Sequence, residues 1–141
     1  MDELAHCLNY LAGQHVLTLC ARNGDEFWAA NCFYALDSEN INFWLMTEPS
    51  TLHGRLMIAS PSVVGTVSAQ TELVAELQGI QFQGVIALAE GDTGQRGLEA
   101  YQQRFPIAKK KSAPLWQLQI NQLKMTDNQL GFGTKLLWQR P

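Results

Sequence analysis

The chain has 141 residues, with 10 basic and 13 acidic side chains and a formal net charge of −3. This length suits one domain over residues 1–141, which can bury a core without a disulfide or a structural metal. The slight acidity argues against nucleic-acid binding, and no apolar stretch approaches the roughly 20 residues of a membrane-spanning helix. Charged residues make up only 16% of the chain, below the roughly 25% of an average domain, which indicates that a partner subunit covers part of the surface.

The three cysteines give information about the compartment. Cys7, Cys20 and Cys32 are odd in number and widely spaced, and no C-x-x-C pair occurs. The chain also starts with Met-Asp-Glu-Leu, which carries acid where a secretory signal has a basic region. We therefore predict reduced thiols in a cytoplasmic protein and no structural zinc site.

The first part of the chain predicts one helix followed by three strands. Leu4, Leu8 and Leu11 recur with helical spacing, so a helix is predicted over residues 2–12, with His6 on its solvated side. β-rich segments follow, and the first two are joined by Asn-Gly-Asp, a hairpin turn. The predicted strands span 16–22, 27–36 and 41–47. The third is apolar on both faces, which predicts a strand covered on both sides.

The rest of the chain continues with strands and two short helices. A helix is predicted to start at Pro49-Ser50-Thr51, with Ser50 as its N-cap, and to end before Pro61. Gly84 predicts a bulge within a strand. The remaining predicted elements are strands over 63–69 and 80–89, a helix over 97–105, and strands over 115–121, 125–128 and 135–139.

The order of these elements favours a mainly β fold. Six or more strands are joined mostly by turns, and three short helices interrupt them without regular βαβ alternation, which argues against a doubly wound sheet. A closed or split antiparallel β-barrel removes the exposed edges of so many strands most economically.

The segment from Thr47 to Arg55 is the strongest candidate for a ligand site. A buried strand ends there and a helix begins, so free backbone N–H groups and the helix dipole favour an anion. Ser50, Thr51, His53 and Arg55 add hydroxyl, imidazole and guanidinium donors within one turn, a set that suits a terminal phosphate. The alternative is that the hydroxyls only cap the helix while Arg55 faces water, and spacing alone favours this alternative.

The other polar candidates leave alternatives open. Asn31 lies in the middle of a predicted strand, where it either faces a ligand or braces a neighbouring turn. His15 is more typical of a structural hydrogen bond than of catalysis, and Lys109–Lys111 is more typical of a solvated loop. No Ser-His-Asp set, P-loop or G-x-G-x-x-G occurs, which argues against a hydrolase or a nucleotide triphosphatase.

With these elements in place, the chain resembles the pyridoxamine phosphate oxidase-like FMN-binding split-barrel family. The resemblance is carried by the order helix, three strands, Thr-x-x-Ser-Thr-x-His, and a late Trp-x-Leu-x-Ile strand. More narrowly, it resembles the small YhbP-like uncharacterised bacterial branch. The stretches that carry this narrower similarity include Gln14-His15-Val16, Ala30–Tyr34, Gly79–Gly84, Arg104-Phe105-Pro106, Ser112–Trp116 and Thr126–Gly133.

The resemblance implies a homodimer that holds FMN in two clefts between its subunits. By position, it implies that Ala30 and Asn31 lie near the isoalloxazine ring and that Met46 and Thr47 lie near the ring edge or the ribityl chain. Thr51 and His53 would contact the phosphate, and Trp116 would come from the opposite subunit. The family often has Arg or Lys where this chain has Leu52 and His53.

Three functions are open at this point. The chain is an FMN-dependent oxidoreductase acting on an unknown small molecule, or a non-catalytic binding or sensing protein whose cleft holds a flavin, haem or other flat ligand. In the third case it is a dimeric scaffold with an empty cleft. Because no residue stands out as an acid or base, the chemistry of the first would belong to the flavin.

Overall fold

In the computed structural model, which describes residues 1–141, seven strands form one antiparallel sheet. The strands are β1 (Val16–Asn23), β2 (Glu26–Asp37), β3 (Asn42–Met46), β4 (Ser62–Ser68), β5 (Gln78–Leu88), β6 (Leu115–Asp127) and β7 (Lys135–Gln139). The helices are α1 (Glu3–Ala12), α2 (Leu52–Ala59) and α3 (Gly91–Arg104), with short 3-10 turns at Val74–Glu76, Pro106–Lys109 and Asn128–Leu130.

The sheet closes into a barrel through its shortest inner strand. The strands follow the order β3-β2-β1-β4-β5-β6-β7, and β3 also pairs with β6, so β1 to β6 form a closed ring. β7 adds to the end of β6 beyond β3. Closure gives both edges of most strands a partner, which confirms the predicted mainly β barrel.

The two faces of β3 contact different parts of the core. Phe43 and Leu45 are fully buried inside the barrel, among most of the large apolar side chains. Trp44 points the other way and is covered by α3, where a Cβ atom on Gly97 would lie 2.5 Å from its ring. The prediction that this strand is covered on both sides is therefore confirmed.

A bulge explains why the sequence pattern of β6 was misread. The pairing of β5 with β6 shifts between Gln83 and Gly84, so the bulge predicted at Gly84 is confirmed. The shift leaves Asn121 without a partner on β5 and changes the inward positions of β6 from Ile120 to Leu123. The prediction of a separate strand over 125–128 is wrong, because these residues continue β6 past the bulge up to Asp127.

Two helix starts also differ from the prediction. α3 begins at Gly91 rather than at residue 97. The prediction missed its first turns because residues 91–96 are polar and contain two glycines, a composition typical of a loop. Thr51, not Ser50, caps α2: its Oγ1 accepts the Gly54 N–H at 3.0 Å, while Ser50 is exposed.

His6 is not simply solvated, as the sequence suggested, but holds a buried carboxylate. Its Nε2 lies 2.8 Å from Asp127 Oδ2, an oxygen that also accepts a hydrogen bond from Gln78 Nε2. The Gln129 N–H donates to the other oxygen. Burial alone would raise the pKa of Asp127, but these hydrogen bonds outweigh burial and lower it.

Replacing Asp127 with Asn should therefore destabilise the fold in a pH-dependent way. A carboxyl group with a lowered folded pKa contributes stability above its ordinary pKa and loses it as the pH falls through the folded value. We expect urea unfolding to show a loss of about 1–3 kcal/mol at neutral pH and a loss that shrinks steadily as the pH falls below the ordinary pKa of the carboxyl group. Asp25→Asn, at an exposed turn position, is the control, and a loss for Asp127→Asn that does not change with pH would contradict the role of the charge.

The corrected cap of α2 gives a second test. Thr51→Ala removes the acceptor for the Gly54 N–H and should lower the free energy of unfolding by about 1 kcal/mol, as for other lost caps. Ser50→Ala should change it very little, because that side chain is exposed. Chemical denaturation of both variants measures the difference, and the opposite ranking would restore Ser50 as the cap.

Candidate functional site

β2 has an edge that no other strand covers. β3 pairs with β2 only from Tyr34 to Asp37, then leaves it after Met46. The preceding residues of β2, 26–33, pair with β1 on one side only. This gap in the wall of the barrel lies directly beside the segment from Thr47 to Arg55.

The open edge presents backbone hydrogen-bonding groups. The Tyr34 N–H donates to the His15 carbonyl, on the β1 side of the strand. Because the direction of N–H and C=O alternates along an antiparallel strand, those of Ala29, Asn31 and Phe33 point to the open edge. Ala30 lies on the same, inward face of β2 as Cys32 and Tyr34. The Asn31 side chain lies on the outer face and accepts a 2.6 Å hydrogen bond from Thr18 Oγ1.

The chain turns sharply at the end of β3, and Thr47 is fixed at this corner. Its N–H donates to the Pro114 carbonyl, and its carbonyl accepts the Trp116 indole N–H at 2.9 Å. Trp116 is only 1% exposed and packs in the core of its own barrel. Within its own chain, the Trp116 side chain positions Thr47; its contact with a cofactor held by another copy stays a prediction.

The hydroxyls and the imidazole of the corner form one cluster. His53 Nε2 lies 2.7 Å from Thr47 Oγ1 and 3.3 Å from Thr51 Oγ1, which donates to the Glu48 carbonyl. Burial lowers the pKa of His53, so the imidazole is neutral at neutral pH. In either tautomer one proton of the Thr47–His53 pair is left over for a further acceptor.

The start of α2 keeps donors that the protein does not use. The backbone N–H groups of Leu52 and His53 have no partner within the chain, whereas those of Gly54 and Arg55 bond to Thr51. The Arg55 side chain is exposed and forms no salt bridge. Two free amides, neutral hydroxyl and imidazole donors and one free cation fit an oxyanion such as a phosphate monoester.

Glycine is required where the corner is tightest. A Cβ atom on Gly54 would lie 2.5 Å from the Glu48 carbonyl oxygen and 2.9 Å from Pro49. The first turn of α2 thus packs tightly against the Glu48–Pro49 turn. This close packing fixes the free N–H groups of Leu52 and His53 near Thr47.

An apolar cleft of about 400 Å³ adjoins the corner through Met46. Its walls come from the outer side of β2 and β3, the end of α3, and the segment that follows α3. The lining residues are Phe33, Met46, Tyr101, Phe105, Ile107, Ala108, Lys111, Ser112 and Ala113. A volume of this size is within the range of small-molecule sites, and its apolar walls suit a flat ring system.

The structure brings together four of the nine residues that the sequence analysis selected. Thr47, Thr51 and His53 form the corner cluster, and Met46 connects it to the cleft. The other selected residues take separate places: Arg55 and Ser50 at the exposed helix start, Ala30 and Asn31 on opposite faces of β2, and Trp116 behind Thr47.

Sequence reasoning missed the far wall of the cleft, although one signal was present. Residues 106–113 have no helical or strand periodicity, so no face could be assigned to them. The available clue in the sequence was Ile107, an apolar residue directly after Pro106; in the structure it is 64% exposed. Lys111, expected in a solvated loop, lines the cleft.

Three further structural findings bear on function. All three cysteines are free thiols. No three His, Cys, Asp or Glu side chains come together as a group that could hold a metal ion. No helix combines the length and the apolar character that a bilayer crossing requires.

Comparison with solved structures identifies the fold. A heme binding protein from Mycobacterium smegmatis superposes with a TM-score of 0.84 at 18% identity; the match covers 99% of this chain and 58% of that protein. HutZ, the heme storage protein from Vibrio cholerae, gives 0.70 at 14% identity, with 87% and 94% of the two chains covered. A FAD-binding protein from Mesorhizobium loti gives 0.69 at 14% identity, with 86% and 91% covered. The barrel is a split barrel of the pyridoxamine phosphate oxidase-like type.

Comparison with protein sequences identifies closer relatives, although no family model matches the chain. A UPF0306 protein from Photorhabdus laumondii is 48% identical over 131 residues, which cover 93% of this chain and 92% of the relative. A UPF0306 protein from Serratia proteamaculans is 46% identical over 139 residues, with 99% and 96% covered. The chain therefore belongs to the UPF0306 family.

Proposed function

We propose that the protein binds FMN at the open edge of β2, with the phosphate at the start of α2. The observation that carries this proposal is the juxtaposition of an apolar cleft, an uncovered strand edge and a helix start with two free amides. A ligand that is flat and apolar at one end and anionic at the other matches this arrangement from end to end.

The phosphate would be held mainly by uncharged donors. The free N–H groups of Leu52 and His53 point along the positive end of α2, and the Thr47–His53 pair supplies a further proton. Arg55 is the one cation within the turn and would add a charge-assisted hydrogen bond. Thr51 would position these groups, because its hydroxyl is already bonded to Glu48 and Gly54.

The ring would lie where β3 leaves β2. The backbone groups of Asn31 and Phe33 on the open edge can bond the polar edge of an isoalloxazine ring, while Met46 supplies an apolar contact. When bound, FMN supplies hydride and single-electron transfer. The chain's own part is to orient the ring and to shield it from water.

We also propose that a second copy covers the outer face of β1, β2 and β4. Cross-strand register places Val16 beside Phe33 and Cys20 beside Val64 on this face. Phe33 is 55% exposed and Val64 is 51% exposed. Apolar side chains clustered on one sheet face are typical of a subunit interface, and a second copy here would close the cleft beside Phe33.

The related structures support a flat ligand, and the histidines of this chain favour flavin over haem. His53 Nε2 is already bonded to Thr47 and Thr51. Arg104 donates to His15 Nδ1, which leaves the proton on Nε2, the nitrogen that would have to bind iron. A haem complex is the alternative outcome of the binding experiment described below. A non-catalytic role in sensing or storage is the alternative to an enzyme.

The proposal also covers the enzyme class, the cellular location and the narrower family branch. If the protein is an enzyme, it is an FMN-dependent oxidoreductase that acts on a small molecule, since no acid–base pair of its own lines the cleft. Three free thiols fit a cytoplasmic location, and the assignment to the YhbP-like branch belongs to the proposal as well.

The phosphate contact can be tested by comparing FMN with riboflavin, which lacks the phosphate. His53→Ala and Arg55→Ala should each weaken FMN binding by about tenfold and leave riboflavin unchanged, because each removes only a phosphate donor. Fluorescence titration of the free flavins measures both affinities. Lys135→Ala, an exposed cation on β7, is the matched control. Equal losses for the two ligands, or a haem complex in place of a flavin complex, would contradict the proposal.

The interface can be tested with one charge. Val64→Glu places an unpaired carboxylate in the middle of the outer face and should convert a dimer to a monomer in sedimentation velocity, with weaker FMN binding. Leu73→Glu, at an apolar residue that is 59% exposed in the loop before β5, should leave the dimer intact. A wild-type monomer at micromolar concentration would contradict the proposed interface.

A further inference from the structure

A second cavity lies at the opposite end of β3 from the proposed flavin site. It has a volume of about 670 Å³ and is bounded by the β2–β3 turn, the first half of α3, and the outer side of β3 and β6. Asn42, its deepest polar residue, is four residues from Met46, so about 13 Å of strand separates the two sites. The cavity is within the size range of small-molecule sites.

Asn42 is the residue that indicates a ligand. Asn42 lines the cavity, the residue is only 4% exposed, and its carboxamide makes no hydrogen bond within the protein. The unpaired amide is thus open to the cavity rather than sealed in the core. There the amide is satisfied by water or by a polar ligand that enters the cavity.

Two more carboxamides share the cavity with Asn42. Gln119 lies directly opposite Asn42 across the β3–β6 pairing, and Gln117 lies opposite Trp44, two positions along. Both line the cavity and neither has a protein partner. The three side chains offer paired donors and acceptors on one sheet surface without any charge.

Four charged residues line the cavity: Asp37 and Arg140 are hydrogen-bonded within the protein, whereas the side chains of Glu39 and Arg96 are largely free. The oxygens of Asp37 accept three hydrogen bonds from the β2–β3 turn, and the Arg140 guanidinium donates to the carbonyls of Asn40, Ile41 and Ile120. These two groups hold the turn. Arg96 at the rim has only a 3.5 Å contact with Thr93, so it is free to meet an anionic group.

We propose that this cavity binds a small molecule with an amide-type edge, in which a C=O acceptor stands beside an N–H donor. Asn42 and Gln119 are the groups that bond this edge. Arg96 favours those ligands that also carry a carboxylate. This site does not depend on flavin binding, because no residue is shared between the two.

Uracil is a suitable probe, because its ring presents cis-amide edges and no charge. In ¹H–¹⁵N spectra of the full-length protein, millimolar uracil should shift the side-chain NH2 signals of Asn42 and Gln119. Orotate, the same ring with a carboxylate, should bind more tightly, and Arg96→Gln should abolish that difference. 1,3-Dimethyluracil, which keeps the carbonyl acceptors but has no N–H donor, should bind more weakly and produce smaller shifts.

Variants separate the site from the fold. Asn42→Leu keeps the side-chain size and should weaken uracil binding by about tenfold. Gln119→Leu, at an exposed position that carries little risk for folding, should also weaken it. Gln122→Leu, on the same strand outside this cavity, should have no effect. The proposal is overturned if uracil causes no shifts, if dimethyluracil binds equally well, or if both variants at the site bind as the wild type does.

Discussion

The pairing of β3 with both β2 and β6 is the interaction on which the rest of the structure depends. β3 has only five residues, yet it closes the barrel, and Phe43 and Leu45 anchor it in the core. Because it is so short, it must leave β2 while β2 still has eight residues, 26–33, without a second neighbour. The open edge, the corner at Thr47 and the early start of α2 all follow from that length.

The two ends of β3 differ in chemistry because different elements cover them. At the Met46 end, α2 turns back so tightly that only glycine fits at position 54, and this brings free amides and a neutral imidazole beside an apolar cleft. At the Asn42 end, the wide turn held by Arg140 keeps the chain away from the sheet and leaves carboxamides uncovered. An anionic, ring-bearing ligand fits the first end, and a ligand with an amide-type edge, with or without a carboxylate, fits the second.

Much of the fold could be predicted from the sequence, whereas the sites could be predicted only in part. Alternation and turn residues gave the strands, and the apolar character of both faces of β3 gave its central place. The prediction of two strands within β6 was wrong because of the bulge beside Gly84. Local alternation cannot reveal a residue, such as Asn121, that has no partner on the neighbouring strand β5. The cleft and the Asn42 cavity depend on which distant segments meet, and neither the irregular residues 106–113 nor a single buried Asn carries that information in its neighbours.

The most direct test of the central claim follows backbone amide signals by ¹H–¹⁵N NMR during titration with FMN and then with riboflavin. If the phosphate lies at the start of α2, FMN should shift the amides of Leu52 and His53 most strongly, and both ligands should shift those of Asn31 and Phe33. Riboflavin should leave the α2 amides almost unchanged. Equal shifts of the α2 amides by both ligands, or shifts confined to other parts of the barrel, would contradict the claim.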